Sequence, residues 1–227
     1  MFLGIDMMFI TLLIPAMIFA MWAQHRVSSS FKRYSEVKTS NGLTGADAAR
    51  DVLQQAGVTG VAIERIEGHL TDHFDPSTNT IRLSEDVYDK ANVAAVGVAA
   101  HEAGHAIQYA EGYSAMRLRS AIIPVTNFGS KLAMPLIIMG LILGMTGLMN
   151  LGIVLFSALV VFQIVTLPVE FNASNRAIAT LDGYAMLTVD EVEGSKRVLS
   201  AAALTYVGAL AVSLAQLIRF IALSRRN

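Results

Sequence analysis

The chain has 227 residues, 54% of them hydrophobic and 15% charged, with a mean hydropathy of +0.52; this excludes an ordinary soluble globular protein and leaves apolar surface that must face lipid. A formal net charge of −1 offers nothing to nucleic acid. There is no cysteine, so a disulfide framework, a thiolate metal cluster and a cysteine nucleophile are all excluded.

Residues 1–23 form an apolar run broken by Asp6 and Thr11, long enough to cross a bilayer as a helix. No Lys or Arg precedes the run, whereas Arg26, Lys32, Arg33 and Lys38 follow it. That asymmetry predicts an uncleaved anchor with its N-terminus outside and the next segment in the cytoplasm. Asp6 then lies near the outer surface, where a charge costs little. Residues 24–121 are the main hydrophilic stretch. Thr44, with Asp47 three residues on, predicts the N-cap of a helix over 46–55 that ends at Gly57. The β-branched segment 61–66 predicts a strand, residues 68–76 a polar turn, and 80–83 a second strand whose edge is available to an extended substrate. Ser84 is expected to cap the helix that follows.

Residues 91–110 are alanine-rich and free of proline, which predicts a helix. They contain His101-Glu102-Ala103-Gly104-His105. Histidines four apart share one helix face and can present nitrogens to one metal ion, with Glu102 beside it. This is the H-E-x-x-H arrangement of zinc peptidases, in which the glutamate is the general base. Such a site needs one further protein ligand and an open position for water. Gly104 beside the histidines would let another segment approach closely. In the turn upstream, His69, His73 and Asp75 are either ordinary surface residues or groups that position ligands, touch substrate or even ligate the metal.

From 131 to 149 the chain is apolar again, with Pro135 placed in a first helical turn; Asn150 interrupts it, and 151–167 is apolar up to Pro168. This predicts a transmembrane hairpin, which returns the chain to the side it left. Glu170 is the first ionisable residue after the hairpin. It reads either as the missing third ligand or as an acidic residue favoured at a helix start by the dipole. Leu181-Asp182-Gly183 offers a rival third ligand, since it resembles the aspartate motif of intramembrane site-2 proteases. Thr188 with Glu191 predicts another capping box, and 200–223 is a fourth apolar segment containing Gln216 and Arg219 and followed by Arg225-Arg226. Four crossings place those arginines outside, but the ten Lys and Arg within 24–121 outweigh them in setting orientation.

The expected architecture is mainly α: a multi-pass membrane protein with about four transmembrane helices and a small α+β cytoplasmic domain. Its segments are an anchor (1–23), a cytoplasmic domain with the histidine helix (24–121), a transmembrane hairpin (122–168), cytoplasmic helices (169–199) and a last transmembrane helix with a short tail (200–227).

The run Leu70-Thr71-Asp72-His73-Phe74-Asp75-Pro76, then Leu83-Ser84 with Val87-Tyr88, then the histidine helix through Gln108, then Leu118-Arg119-Ser120, Leu167-Pro168-Val169-Glu170-Phe171-Asn172-Ala173-Ser174 and Ala202-Ala203-Leu204-Thr205-Tyr206-Val207 occur in this order. Together they resemble the YugP-like bacterial neutral zinc metallopeptidase family of membrane gluzincins. The resemblance implies a membrane-embedded peptidase with one zinc ion per chain, His101, His105 and Glu170 as ligands, and Glu102 as base. Two departures stand out. The family's usual aspartate in Glu-Phe-Asp-Ala-Ser is Asn172 here, and the aspartate that wider membrane gluzincins carry four residues after the ligand glutamate is Ser174. His73, Asp75, Asn172, Arg176 and Tyr206 are candidates for positioning ligands, contacting substrate or stabilising the oxyanion. The expected partners are a peptide or membrane-protein substrate and the lipid bilayer of the bacterial inner membrane, with no nucleic acid and with the active site facing the cytoplasm. A homo-oligomer or a regulatory membrane partner is compatible with the sequence. A non-catalytic scaffold in which zinc merely pins the hydrophilic segment is the alternative from another functional class.

Overall fold

The computed structural model describes residues 7–225; Asp6, the N-terminus and Arg226 lie outside the described residues. A π-helical turn, Phe9–Leu13, leads into α1 (Ile14–Ser35). There follow α2 (Gly45–Gln55), β1 (Ala62–Ile66), β2 (His73–Asp75), β3 (Thr80–Ser84), α3 (Val93–Ala110), α4 (Ser114–Leu143), α5 (Thr146–Gly183) and α6 (Val189–Ser224). The fold is thus mainly helical. Four helical segments, Phe9–Ser35, Ser114–Leu143, Thr146–Gly183 and Val189–Ser224, are long and apolar enough to cross a membrane.

The chain divides into two units. One comprises Met1–Gln24, Leu118–Leu167 and Leu204–Asn227; the other comprises His25–Arg117 and Pro168–Ala203. Within the first, Ala133, Ile137, Met149, Ile153, Phe156 and Phe220 form an apolar cluster. Small residues set the helix spacing there. A Cβ on Gly140 would meet Met149 backbone at 2.5 Å, and one on Gly152 would meet Ala133 O at 2.8 Å, the close approach on which packing between apolar helices depends.

Several boundaries differ from the sequence expectation. The hairpin turns at Gly144, whose φ of +63° suits a residue without Cβ just past a helix end, and not at Asn150. Asn150 is helical, and its side-chain oxygen accepts a hydrogen bond from Ser224 Oγ. Pro135 and Pro168 lie inside α4 and α5, and α5 continues to Gly183. Proline inside a membrane helix is tolerated where neighbours re-satisfy the backbone it frees.

The second unit holds the sheet, in the order β1-β3-β2. β1 runs parallel to β3 with Ala62 opposite Thr80 and Ile66 opposite Ser84, and β2 runs antiparallel with Phe74 opposite Ile81. The expected two strands are therefore three, and β3 is the middle one. Both of its edges are occupied, so an added substrate strand cannot pair there. β2 escapes detection because it is only three residues within a polar turn. Asp75 fixes it: its carboxylate accepts from Ser77 N, Ser77 Oγ, Thr78 Oγ1 and Arg82.

Capping follows the local chemistry. Thr44 accepts from Asp47 N at the start of α2. Thr188 and Glu191 form the reciprocal capping box of α6, with Thr188 N donating to Glu191 Oε2 at 2.8 Å. Ser84, by contrast, caps no helix. A turn over 85–89 intervenes, and Asn92 caps α3 by accepting from Ala95 N at 2.9 Å. The core joins Val52, Ile81, Leu83, Val96, Ala100, Ala103, Val169 and Ala177, so α3 is enclosed by α2, the sheet and the segments of α5 and α6 in this unit.

Candidate metal centre

His101 and His105 stand one turn apart on α3, and α5 brings Glu170 against them. His101 Nε2 lies 3.3 Å and His105 Nε2 3.5 Å from the same oxygen, Glu170 Oε2. One donor atom from each of the three residues falls within 4.8 Å of the others. His105 and Glu170 are buried and His101 is partly so. A tetrahedral zinc ion with bonds of about 2.0–2.1 Å requires ligand atoms about 3.3–3.4 Å apart. Two of the observed separations fit that requirement, as does the donor chemistry of two imidazoles and a carboxylate.

Gly104 permits this approach. A Cβ there would stand 2.6 Å from Ala173 O, so any side chain would push α5, and Glu170 with it, away from the histidines.

Each imidazole meets a polar side chain at Nδ1: Gln108, to which the sequence assigns no role, and Ser174, which stands at the position of the gluzincin aspartate. Gln108 is fully buried; its Nε2 donates to Val169 O at 2.8 Å and to Asn172 Oδ1 at 2.9 Å. Both partners are pure acceptors, so the amide orientation is fixed, and its Oε1 faces His105 Nδ1 at 3.0 Å. His105 must therefore donate from Nδ1, which leaves the Nε2 lone pair directed at the site. Ser174 Oγ lies 3.1 Å from His101 Nδ1; a hydroxyl both donates and accepts, so it gives that ring a partner without fixing its tautomer. The spacing of Gln108, three residues after His105 on one helix face, was the available signal.

The remaining candidates separate clearly. Asn172 Oδ1 also accepts from Arg176 Nε at 2.7 Å, so asparagine provides every acceptor contact an aspartate would, without its charge. Arg176 further pairs with Glu111 at 2.7 Å, and its guanidinium is thereby engaged with α3 and α5. Asp75 serves the β2–β3 turn. His73 is exposed on β2 and its Nδ1 meets Thr71 O at 2.8 Å. Tyr206 belongs to the other unit. Asp182 is exposed and lies twelve residues beyond Glu170 on the same helix, about 18 Å along its axis; among the described residues the metal-capable cluster is His101, His105 and Glu170.

Glu102 is buried beside the cluster. Asp72, placed by accepting from Ser84 N at 2.7 Å and from Ser84 Oγ, is a second carboxyl in its vicinity. Burial pushes the Asp72 carboxyl above its usual range, and the charge of Glu102 adds to the effect. At His105, burial opposes the charged form, but the hydrogen bond to Glu170 and the charges of Glu102 and Glu170 outweigh it and raise the pKa.

Two histidines one turn apart, one buried and one partly buried, completed by a carboxylate from a second helix, have the donor set of a His2Glu metal centre, here within a multi-helix membrane protein. The chain belongs to the family described as "Putative neutral zinc metallopeptidase", which matches residues 9–225. It is 49% identical over 215 residues, 95% of this chain and 96% of the relative, to the "Putative membrane protease YugP" of Bacillus subtilis (strain 168). No solved structure matches the chain.

Proposed function

We propose that the protein is a zinc-dependent metalloendopeptidase of the bacterial inner membrane, with one zinc ion per chain held by His101, His105 and Glu170. The observation that carries this reading is the convergence of both Nε2 atoms on Glu170 Oε2 at 3.3 and 3.5 Å, with each Nδ1 occupied elsewhere. Zinc bound there would supply Lewis acidity, acidifying water toward a pKa of about 7 and polarising the scissile carbonyl.

Glu102 is the general base. It accepts the proton as water adds to the peptide carbonyl and returns it to the amine nitrogen as the C–N bond breaks, leaving a carboxylate and a free amine. Gln108 holds His105 in the tautomer that keeps Nε2 available, and the Ser174 hydroxyl accepts from His101 Nδ1 when that ring presents Nε2 to the metal. The substrate is a peptide or membrane protein, and the cytoplasmic orientation rests on the ten Lys and Arg of residues 24–121.

Purified full-length protein should cleave casein or a co-expressed membrane protein, lose that activity to a chelator, and regain it with zinc. Turnover that persists in excess chelator would overturn the reading. The absence of native cysteine gives a clean test of orientation: Arg50→Cys should react with a membrane-impermeant maleimide only after the inner membrane is breached.

A further inference from the structure

A second polar site lies where α1 and α6 run side by side. The helices are closely apposed there, since a Cβ on Gly194 would meet the Tyr34 ring at 2.9 Å. Their facing surfaces enclose a groove of about 550 Å³ lined by Arg26, Arg33, Lys196 and Arg197 together with the hydroxyls of Ser29 and Ser30. Four cations meet a single carboxylate, Glu193, which Arg197 Nε engages at 3.0 Å. This local surplus of three positive charges occurs in a chain whose formal net charge is −1, so it does not reflect a generally basic surface. Nothing in the proposed peptidase chemistry uses these residues.

The depth of the groove points to its occupant. The apolar run of α1 ends at Ala23 and that of α6 begins at about Ser200. At 1.5 Å per residue, Arg26 lies about 4.5 Å and Lys196 about 6 Å beyond the apolar segments. The headgroup layer flanking the hydrocarbon core is about 5–8 Å thick on each side. Trp22, exposed one turn before Arg26 on the same helix, is the residue type that marks this interface. Guanidinium, ammonium and hydroxyl donors in one groove suit a phosphodiester, which accepts several charge-assisted hydrogen bonds at once.

We propose that this groove binds the phosphate of an anionic phospholipid headgroup. The site is independent of the peptidase reading. The test uses the full-length chain in maltoside micelles, titrated with dioleoyl phosphatidylglycerol or dioleoyl phosphatidylcholine, with bound lipid counted by native mass spectrometry. Wild type should retain the glycerol lipid in preference to the choline lipid. Arg26→Gln combined with Lys196→Gln should weaken phosphatidylglycerol binding roughly 25-fold, at about fivefold per cation near an anionic headgroup, while Arg65→Gln, a cation outside the groove, should leave it unchanged. If the double variant does not fold, judged by its melting profile, Lys196→Gln alone should lose about fivefold. Equal retention by wild type and groove variants, or no preference over the choline lipid, would overturn the proposal. Displacement by millimolar inorganic phosphate would overturn the lipid as the source of the anion.

Discussion

Gln108 Oε1 faces His105 Nδ1 at 3.0 Å, and because the other end of that amide donates to Val169 O and Asn172 Oδ1, the contact has only one polarity. Gln108→Leu removes all three bonds from a buried position. Partners of this kind contribute about 10–100-fold to metal affinity, so zinc affinity measured against a competing chelator should fall by that factor. Gln108→Glu should also weaken it, since the new carboxylate would face two acceptors. Wild-type affinity in both variants would remove Gln108 from the site's design.

Glu102 and Glu170 are both buried carboxylates near the histidines, and their proposed roles predict opposite failures. Glu102→Gln should keep its zinc while turnover drops by about 10²–10⁴-fold. Glu170→Ala should lose zinc, and activity with it. Metal content by elemental analysis beside peptidase rate separates the two; a zinc-replete Glu170→Ala protein would exclude Glu170 as a ligand.

The raised pKa of His105 gives a pH signature. In metal-free protein its folded value exceeds the ordinary 6.5. The stability it contributes is then fully present below pH 6.5 and is lost as pH rises through the folded value. Zinc reverses the trend, because proton and metal compete for the same imidazole. Melting temperature followed upward from pH 6 should fall in chelator and rise with zinc. Parallel curves would show that His105 does not bind the metal.

Gly104→Ala tests the contact between helices directly. A methyl group 2.6 Å from Ala173 O cannot be accommodated without moving α5, at a cost of about 1–3 kcal/mol. Thermal stability should fall by that amount and zinc affinity should fall with it, as Glu170 is carried away from the histidines. An alanine variant with unaltered stability would mean the helices are free to separate.

The parts of the site legible in the sequence were those coded by short spacing. His101 and His105 at four residues, and the capping pairs Thr44 with Asp47 and Thr188 with Glu191 at three, need only helix geometry. Glu170 is reachable through the two crossings of the hairpin that separate it from the histidine helix and return the chain to the same side. Ser174 stands where wider membrane gluzincins carry an aspartate, and its hydroxyl meets His101 from 73 residues away, a pairing that no local pattern encodes. The same holds for Gln108 and Val169, 61 residues apart. Strand β2 was hidden by its brevity, and the extent of α4 and α5 was hidden because proline and asparagine normally signal a break. In apolar helices with supporting neighbours that signal fails.

Under the proposed peptidase activity, the placement of β3 in the middle of the sheet bears on how a substrate would be chosen. Among the described residues β2 pairs only with β3, so a chain docking beside it finds three residues and hence one or two outward backbone pairs. At about 0.5–1.5 kcal/mol per hydrogen bond, such pairing can align a polypeptide but cannot select one. Discrimination between sequences would then fall to side chains, and a substrate lacking regular structure near the scissile bond would be accepted more readily than one that must first be unwound.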